Sequence, residues 1–102
     1  MSLEERCIIR IVVEGRVQGV GFRAFVEREA SRLQLDGWVR NCRDGSVEAV
    51  AAGPRAIVET FVALTRRGPI ASRVDALRLD EADEAALSEN SARRGFTVAP
   101  DG

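Results

Sequence analysis

The feature that most limits the fold is a change of hydrophobic period across a cluster of glycines. "RCIIRIVVE" (6–14) is short and rich in β-branched residues, which marks a strand. Cys7, Ile9, Ile11 and Val13 share one of its faces, and Ile8 and Val12 share the other with Arg10 and Glu14. "GRVQGVG" (15–21) interrupts it. From Phe22 the apolar residues recur at Phe25, Val26, Ala30 and Leu33, which is helical spacing over 22–33. A strand, a Gly-rich loop and a helix therefore follow one another without a spacer.

The remaining segments extend this unit. "DGWVRN" (36–41) reads as a strand, with Trp38 a core residue, and "RDGS" (43–46) as a hairpin turn, because Asp-Gly suits positive φ. "SVEAVAA" (46–52) alternates, with Val47, Ala49 and Ala51 opposite Glu48, Val50 and Ala52. Residues 53–68 read as a second helix with a stripe of Ile57, Val58, Phe61, Val62 and Leu64. Pro54 fits its first turn, Arg66 and Arg67 suit its negative end, and Gly68-Pro69 stops it. A strand is expected over 72–80, a loop with one helical turn over 81–92, and a short last strand over 94–99.

The order β-α-β-β-α-β, with a short fifth strand, is that of a ferredoxin-like α+β sandwich: an antiparallel sheet with two helices on one face. In that arrangement the first two strands are parallel and the third lies between them. The Gly-rich loop and Asn41 then meet at one end of the sheet. Cys7 and Cys42 fall at opposite ends, too far apart for a disulfide.

Composition excludes several classes. A chain of 102 residues suits one domain, 1–102. Apolar residues at 45% and charged residues at 30% are the balance of a folded chain, and no apolar run nears the roughly 18 to 20 residues that span a bilayer. "MSLEERCIIR" lacks the apolar core of a signal peptide, so a cytoplasmic location is expected. The net charge is −1, with Lys and Arg dispersed, which speaks against a nucleic-acid partner. Without histidine, Cys7 and Cys42 make no metal cluster, and the position six residues beyond each is Val13 or Glu48, not the Arg of a Cys-based phosphatase. Both read as buried thiols.

The loop is suited to an anion. It leads into a helix N-terminus, where N–H groups are unpaired and the dipole is positive. Glycines let successive amides turn toward one point and let a ligand approach closely. The glycines at 15, 19 and 21 match neither the dinucleotide fingerprint nor a Walker loop. Arg23 stands in the first helical turn, where the dipole disfavours a cation unless an anion is bound; its plain alternative is an i,i+4 pair with Glu27. Asn41, before the turn, is either an Asx-turn residue or an amide that holds a water near the anion.

"GRVQGVGFR" together with "GWVRNCRDGSVEAVAAGP" resembles the acylphosphatase family. The resemblance implies a single acylphosphatase-like domain that hydrolyses the carboxyl–phosphate bond of small-molecule acyl phosphates, giving a carboxylate and inorganic phosphate. It implies that Arg23 and the backbone amides of Arg16, Val17, Gln18, Gly19, Val20 and Gly21 bind the phosphoryl group. It implies that Asn41 orients the attacking water. No metal or organic cofactor is implied, and a monomer that binds no membrane is expected.

The missing acid fits such a substrate. Phosphoryl transfer is catalysed mostly by positioning and charge stabilisation. A phenol leaving group has a pKa of about 10 and needs a proton, whereas a carboxylate, with a pKa of about 4, leaves unprotonated. Two departures stand out: the family commonly has Thr where this chain has Cys42, and an aromatic near the C-terminus where "GFTVAPDG" has none after its Phe. The first is expected to loosen support of the loop and the second to leave the C-terminal end less anchored. Two other readings are a module of a hydrogenase-maturation carbamoyltransferase and a non-catalytic RNA-recognition domain. The Met start favours a free enzyme over the first. The second would want stacking aromatics, and the chain has four Phe, one Trp and no Tyr.

Overall fold

In the computed structural model, which describes residues 5–90 and 94–102, the β-branched run forms β1 (Arg6–Arg16). Its alternation decides which residues go inside. Ile9, Ile11 and Val13 enter the main core, Cys7 packs at the edge of that core, and Ile8 turns to the opposite face. The main core is closed by two helices: α1 (Phe22–Arg32) buries Phe22, Val26 and Ala30, and α2 (Arg55–Arg67) buries Val58, Phe61 and Thr65. Each fully buried large apolar side chain here contributes about 1.5–3 kcal/mol. Thr65 is tolerated inside because its hydroxyl donates to the Phe61 carbonyl at 2.9 Å.

The other strands are β2 (Asp36–Asn41), β3 (Val47–Pro54), β4 (Arg73–Glu81) and β5 (Phe96–Val98). The sheet order is β4-β1-β3-β2-β5. β3 pairs antiparallel with both β1 and β2, so those two run parallel with β3 between them, as the element order implies. Val13 lies opposite Val47 on one side of β3, and Asn41 lies opposite Val47 on the other. The C-terminal ends of β1 and β2 are thereby fixed at the same end of the sheet.

Three features differ from the expectation. The second helix does not begin at residue 53. β3 runs on through Gly53 and Pro54, paired with Cys7 and Arg6, and Pro54 keeps an extended ψ of 140° as the helix N-cap. Strand pairing outweighs the preference of proline for a first helical turn.

The single helical turn expected in the acidic stretch is α3 (Glu84–Ser88), capped by Asp83, whose carboxylate accepts from the Ala86 amide at 3.0 Å. Residues 91 and 92 of that stretch, and residues 1–4 of the N-terminus read for a signal peptide, lie outside the described residues. α3 covers the face of the sheet opposite α1 and α2. There Trp38, fully buried, packs with Val50, Ala86 and Ala99, and its indole N–H donates to the Ala86 carbonyl at 3.0 Å. Trp38 is a core residue as expected, but of this second, smaller core.

The C-terminal end is anchored without an aromatic. β5 pairs parallel with β2, and the tail continues the contact: the Ala99 amide donates to Val39 and the Gly102 amide to Asn41, each at 2.8 Å. No helix among the described residues is long and apolar enough to cross a membrane.

Candidate active site

β1 leaves the sheet through a tight exit. Its register with β4 shifts between Glu14 and Gly15, and Gly15 has φ 132° with its backbone pressed against β4. A Cβ there would lie 2.2 Å from the Arg73 carbonyl oxygen, so only glycine fits. Arg16 still pairs with Arg73, and the loop proper begins at Val17, whose buried side chain pins it to the core. Gly21 closes the loop with φ 81° and ψ 19° and serves as the N-cap of α1. It brings no side-chain cap, and the first turn holds no acidic residue. A helix N-terminus left this way presents unpaired N–H groups and a positive potential to an anion.

Arg23 and Asn41 line the same cavity of about 300 Å³, together with Gly19, Gly21, Phe22 and Val98. The two residues singled out from the sequence are thus brought together with the loop. The Arg23–Glu27 pair weighed from helical spacing is not found among the described residues. Glu27 lines the cavity, while the guanidinium of Arg23 donates to Asp101 at 2.8 Å, with both side chains partly exposed. Asn41 does not make an Asx turn. Its Oδ1 is buried and has no hydrogen-bond partner among the described residues. An acceptor stranded in this way costs about 1–3 kcal/mol.

The structure adds a residue whose side chain the sequence reading passed over. Gln18 Nε2 donates to the carbonyls of Cys42 and Ser46, both at 2.8 Å. One side chain thereby ties the loop after β1 to the hairpin that follows Asn41. The available signal was its type, a long amide between two apolar valines. The hairpin is braced by its own bonds: the Cys42 amide donates to Ser46 at 2.9 Å, and the Ser46 hydroxyl donates to Asp44 at 2.6 Å. That hydroxyl bond, with a second from the Ser46 amide, holds the Asp44 carboxyl below the usual carboxylate range.

Cys42, where a hydroxyl was expected to matter, supports the loop through its backbone, as the acceptor of Gln18. Cys7 and Cys42 are both free, as the topology requires, but half-buried instead of buried.

A strand-to-helix glycine loop, an arginine in the first turn and an asparagine from the end of β2 thus converge on one cavity. The sequence of residues 9–97 matches the family model described as Acylphosphatase. The chain belongs to the acylphosphatase family.

Individual acylphosphatases agree over almost the full length. An acylphosphatase from Bradyrhizobium diazoefficiens is 48% identical over 95 residues, covering 93% of this chain and 96% of that protein. The crystal structure of acylphosphatase from Bacillus subtilis superposes with a TM-score of 0.78 at 38% identity, covering 90% of this chain and 97% of the other. An acylphosphatase from Coxiella burnetii superposes with a TM-score of 0.79 at 34% identity, covering 96% and 99%. The family and the ferredoxin-like fold implied by the two motifs are both met by these findings.

Proposed function

We propose that this cavity hydrolyses acyl phosphates, as a single domain spanning 1–102, with Arg23 and the amides of Arg16 to Gly21 holding the phosphoryl group and Asn41 orienting water. The observation that carries the reading is that Asn41, whose Oδ1 has no hydrogen-bond partner among the described residues, lines the same cavity as Arg23. A side-chain amide beside an anion site is suited to hold a water and aim its lone pair at phosphorus.

The water oxygen forms a new bond to phosphorus while the bond from phosphorus to the acyl oxygen breaks. The electron pair of that bond leaves on the carboxylate. The water proton passes to a phosphoryl oxygen of the substrate, the chain having no histidine. The products are a carboxylate and inorganic phosphate. Arg23 and the loop amides are set to stabilise charge on the phosphoryl oxygens as the transition state loosens, the main route by which phosphoryl transfer is catalysed. The substrate is a small molecule; the protein acts as a cytoplasmic monomer and takes no nucleic acid.

The test is hydrolysis of benzoyl phosphate by Asn41→Ala, with inorganic phosphate as competitive inhibitor. Turnover is expected to fall at least ten-fold while the phosphate inhibition constant stays within about two-fold, because a group acting only on the water leaves ground-state anion binding intact. Parallel losses in both would make Asn41 a phosphate-binding residue instead.

A further inference from the structure

We propose that Glu48 is a positioning residue for Asn41, holding it from the far face of the sheet; this rests on the role of Asn41 given above. In β2 the side chain of Val39 enters the main core, while Trp38 and Arg40 turn to the face that α3 covers. Asn41 faces the cavity. The side chains on either side of it, Arg40 and Cys42, both end on one atom, Oε1 of Glu48. Arg40 donates to it through Nε at 2.9 Å and lies 2.8 Å from it through Nη2, and the Cys42 thiol lies at 3.8 Å.

Glu48 is itself fixed. It sits on β3 directly opposite Arg40, is 8% exposed, and its other oxygen, Oε2, accepts from Arg10 on β1. The guanidiniums of Arg10 and Arg40 both lie over the ring of buried Trp38, at 6.0 and 5.5 Å from its centroid. A buried carboxylate this well paired has little freedom to move, and removing it would leave Arg40 unpaired. The residues on either side of Asn41 are therefore both tied through their side chains to a single carboxylate oxygen of a residue that does not line the cavity. Catalytic groups must be held within about 0.5 Å and 10–20° of the productive geometry, so ties on both neighbours control the aim of the amide.

A role in folding alone makes a different prediction from a role in aim, and four variants separate them on benzoyl phosphate. Glu48→Gln keeps the shape of the side chain and is expected to lower turnover about ten-fold, with the inhibition constant of inorganic phosphate within about two-fold. Arg40→Gln, which leaves the Glu48–Arg10 bond in place, is expected to give the same selective loss, and it reads the coupling if Glu48→Gln folds poorly. Arg10→Met removes the partner of Oε2 but leaves both contacts to Oε1, so it is expected to lower the melting temperature and to reduce turnover clearly less than Glu48→Gln does. Combined with Asn41→Ala, Glu48→Gln is expected to cost no further turnover, because the two act through one group.

Unchanged turnover in Glu48→Gln with Asn41→Ala impaired would overturn the role of Glu48 alone. So would a full additional loss in the double variant, or a loss in Arg10→Met as large as in Glu48→Gln. Unimpaired Asn41→Ala would overturn the underlying role of Asn41, and this one with it.

Discussion

Arg23 Nη1 donates to Asp101 Oδ1 at 2.8 Å, across 78 residues of sequence. The next residue, Gly102, donates its amide to the Asn41 carbonyl at 2.8 Å. Two consecutive tail residues thus reach the two residues on which the proposed chemistry depends, Arg23 at its side chain and Asn41 at its backbone carbonyl. The carboxylate of Asp101 occupies one guanidinium donor, Nη1, that the proposed phosphoryl ligand would use, so it is expected to compete with that ligand.

Asp101→Asn is expected to tighten inhibition by inorganic phosphate by up to about five-fold, the equivalent of the roughly 1 kcal/mol ceiling for an exposed ion pair, with turnover little changed. Competitive inhibition measured at fixed ionic strength checks this. Weaker phosphate binding in the variant would mean that Asp101 holds Arg23 ready instead of occupying it.

Gln18→Leu removes both bonds that tie the loop to the hairpin. The expected loss of stability is about 1–3 kcal/mol for two part-buried hydrogen bonds, read by urea unfolding. Because loop and Asn41 lose their mutual register, turnover is expected to fall and phosphate inhibition to weaken together. A loss of turnover with phosphate inhibition intact would confine Gln18 to the Asn41 side.

At Gly21 an added Cβ meets nothing within 4 Å, so the cost of Gly21→Ala is conformational, not steric. With φ at 81° it is expected to destabilise the fold by about 1–2 kcal/mol. Phosphate binding should weaken as well, since relief of the strain turns the loop amides away from their common point. Full stability with unchanged phosphate inhibition would show that the left-handed turn is not needed.

Asp44 gives a pH dependence of known sign. Its carboxyl is held low by the Ser46 hydroxyl and then the Ser46 amide. A carboxyl depressed on folding contributes stability that is complete above its unfolded pKa of about 4 and is lost as pH falls through the folded value. Asp44→Asn is therefore expected to be less stable than the parent at neutral pH, with the gap narrowing as pH drops below about 4. Unfolding curves at several pH values check this, and a gap that does not change with pH would contradict it.

Much of the fold was legible because its signals are local. The alternation of Ile9, Ile11 and Val13 and the helical spacing of Phe22, Val26 and Ala30 each lie within one segment, and they decided the element order. The parallel placement of β1 and β2 then followed, and with it the approach of the loop to Asn41. What was not legible depends on pairs far apart in sequence. The extension of β3 through Pro54 is set by its partner Arg6, and the second core under α3 by Trp38 reaching Ala86. The Gln18 bridge, the Asp101 contact and the Glu48 grip join residues whose spacing carries no periodic signal. A charged residue such as Glu48, on one strand face with Val50 and Ala52, carries no sign of its role in the sequence; that role rests on two arginines from neighbouring strands that cover it.

The most direct test of the central claim is the kcat/KM of Arg23→Ala on benzoyl phosphate, with the fold checked by circular dichroism. Charge-assisted hydrogen bonds are worth about 1.5–3 kcal/mol each, and a guanidinium can give a phosphoryl group two, so a loss of at least about 10²-fold is expected with the fold retained. A folded Arg23→Ala variant that keeps near-parental kcat/KM would contradict the assignment of the cavity as the phosphoryl site.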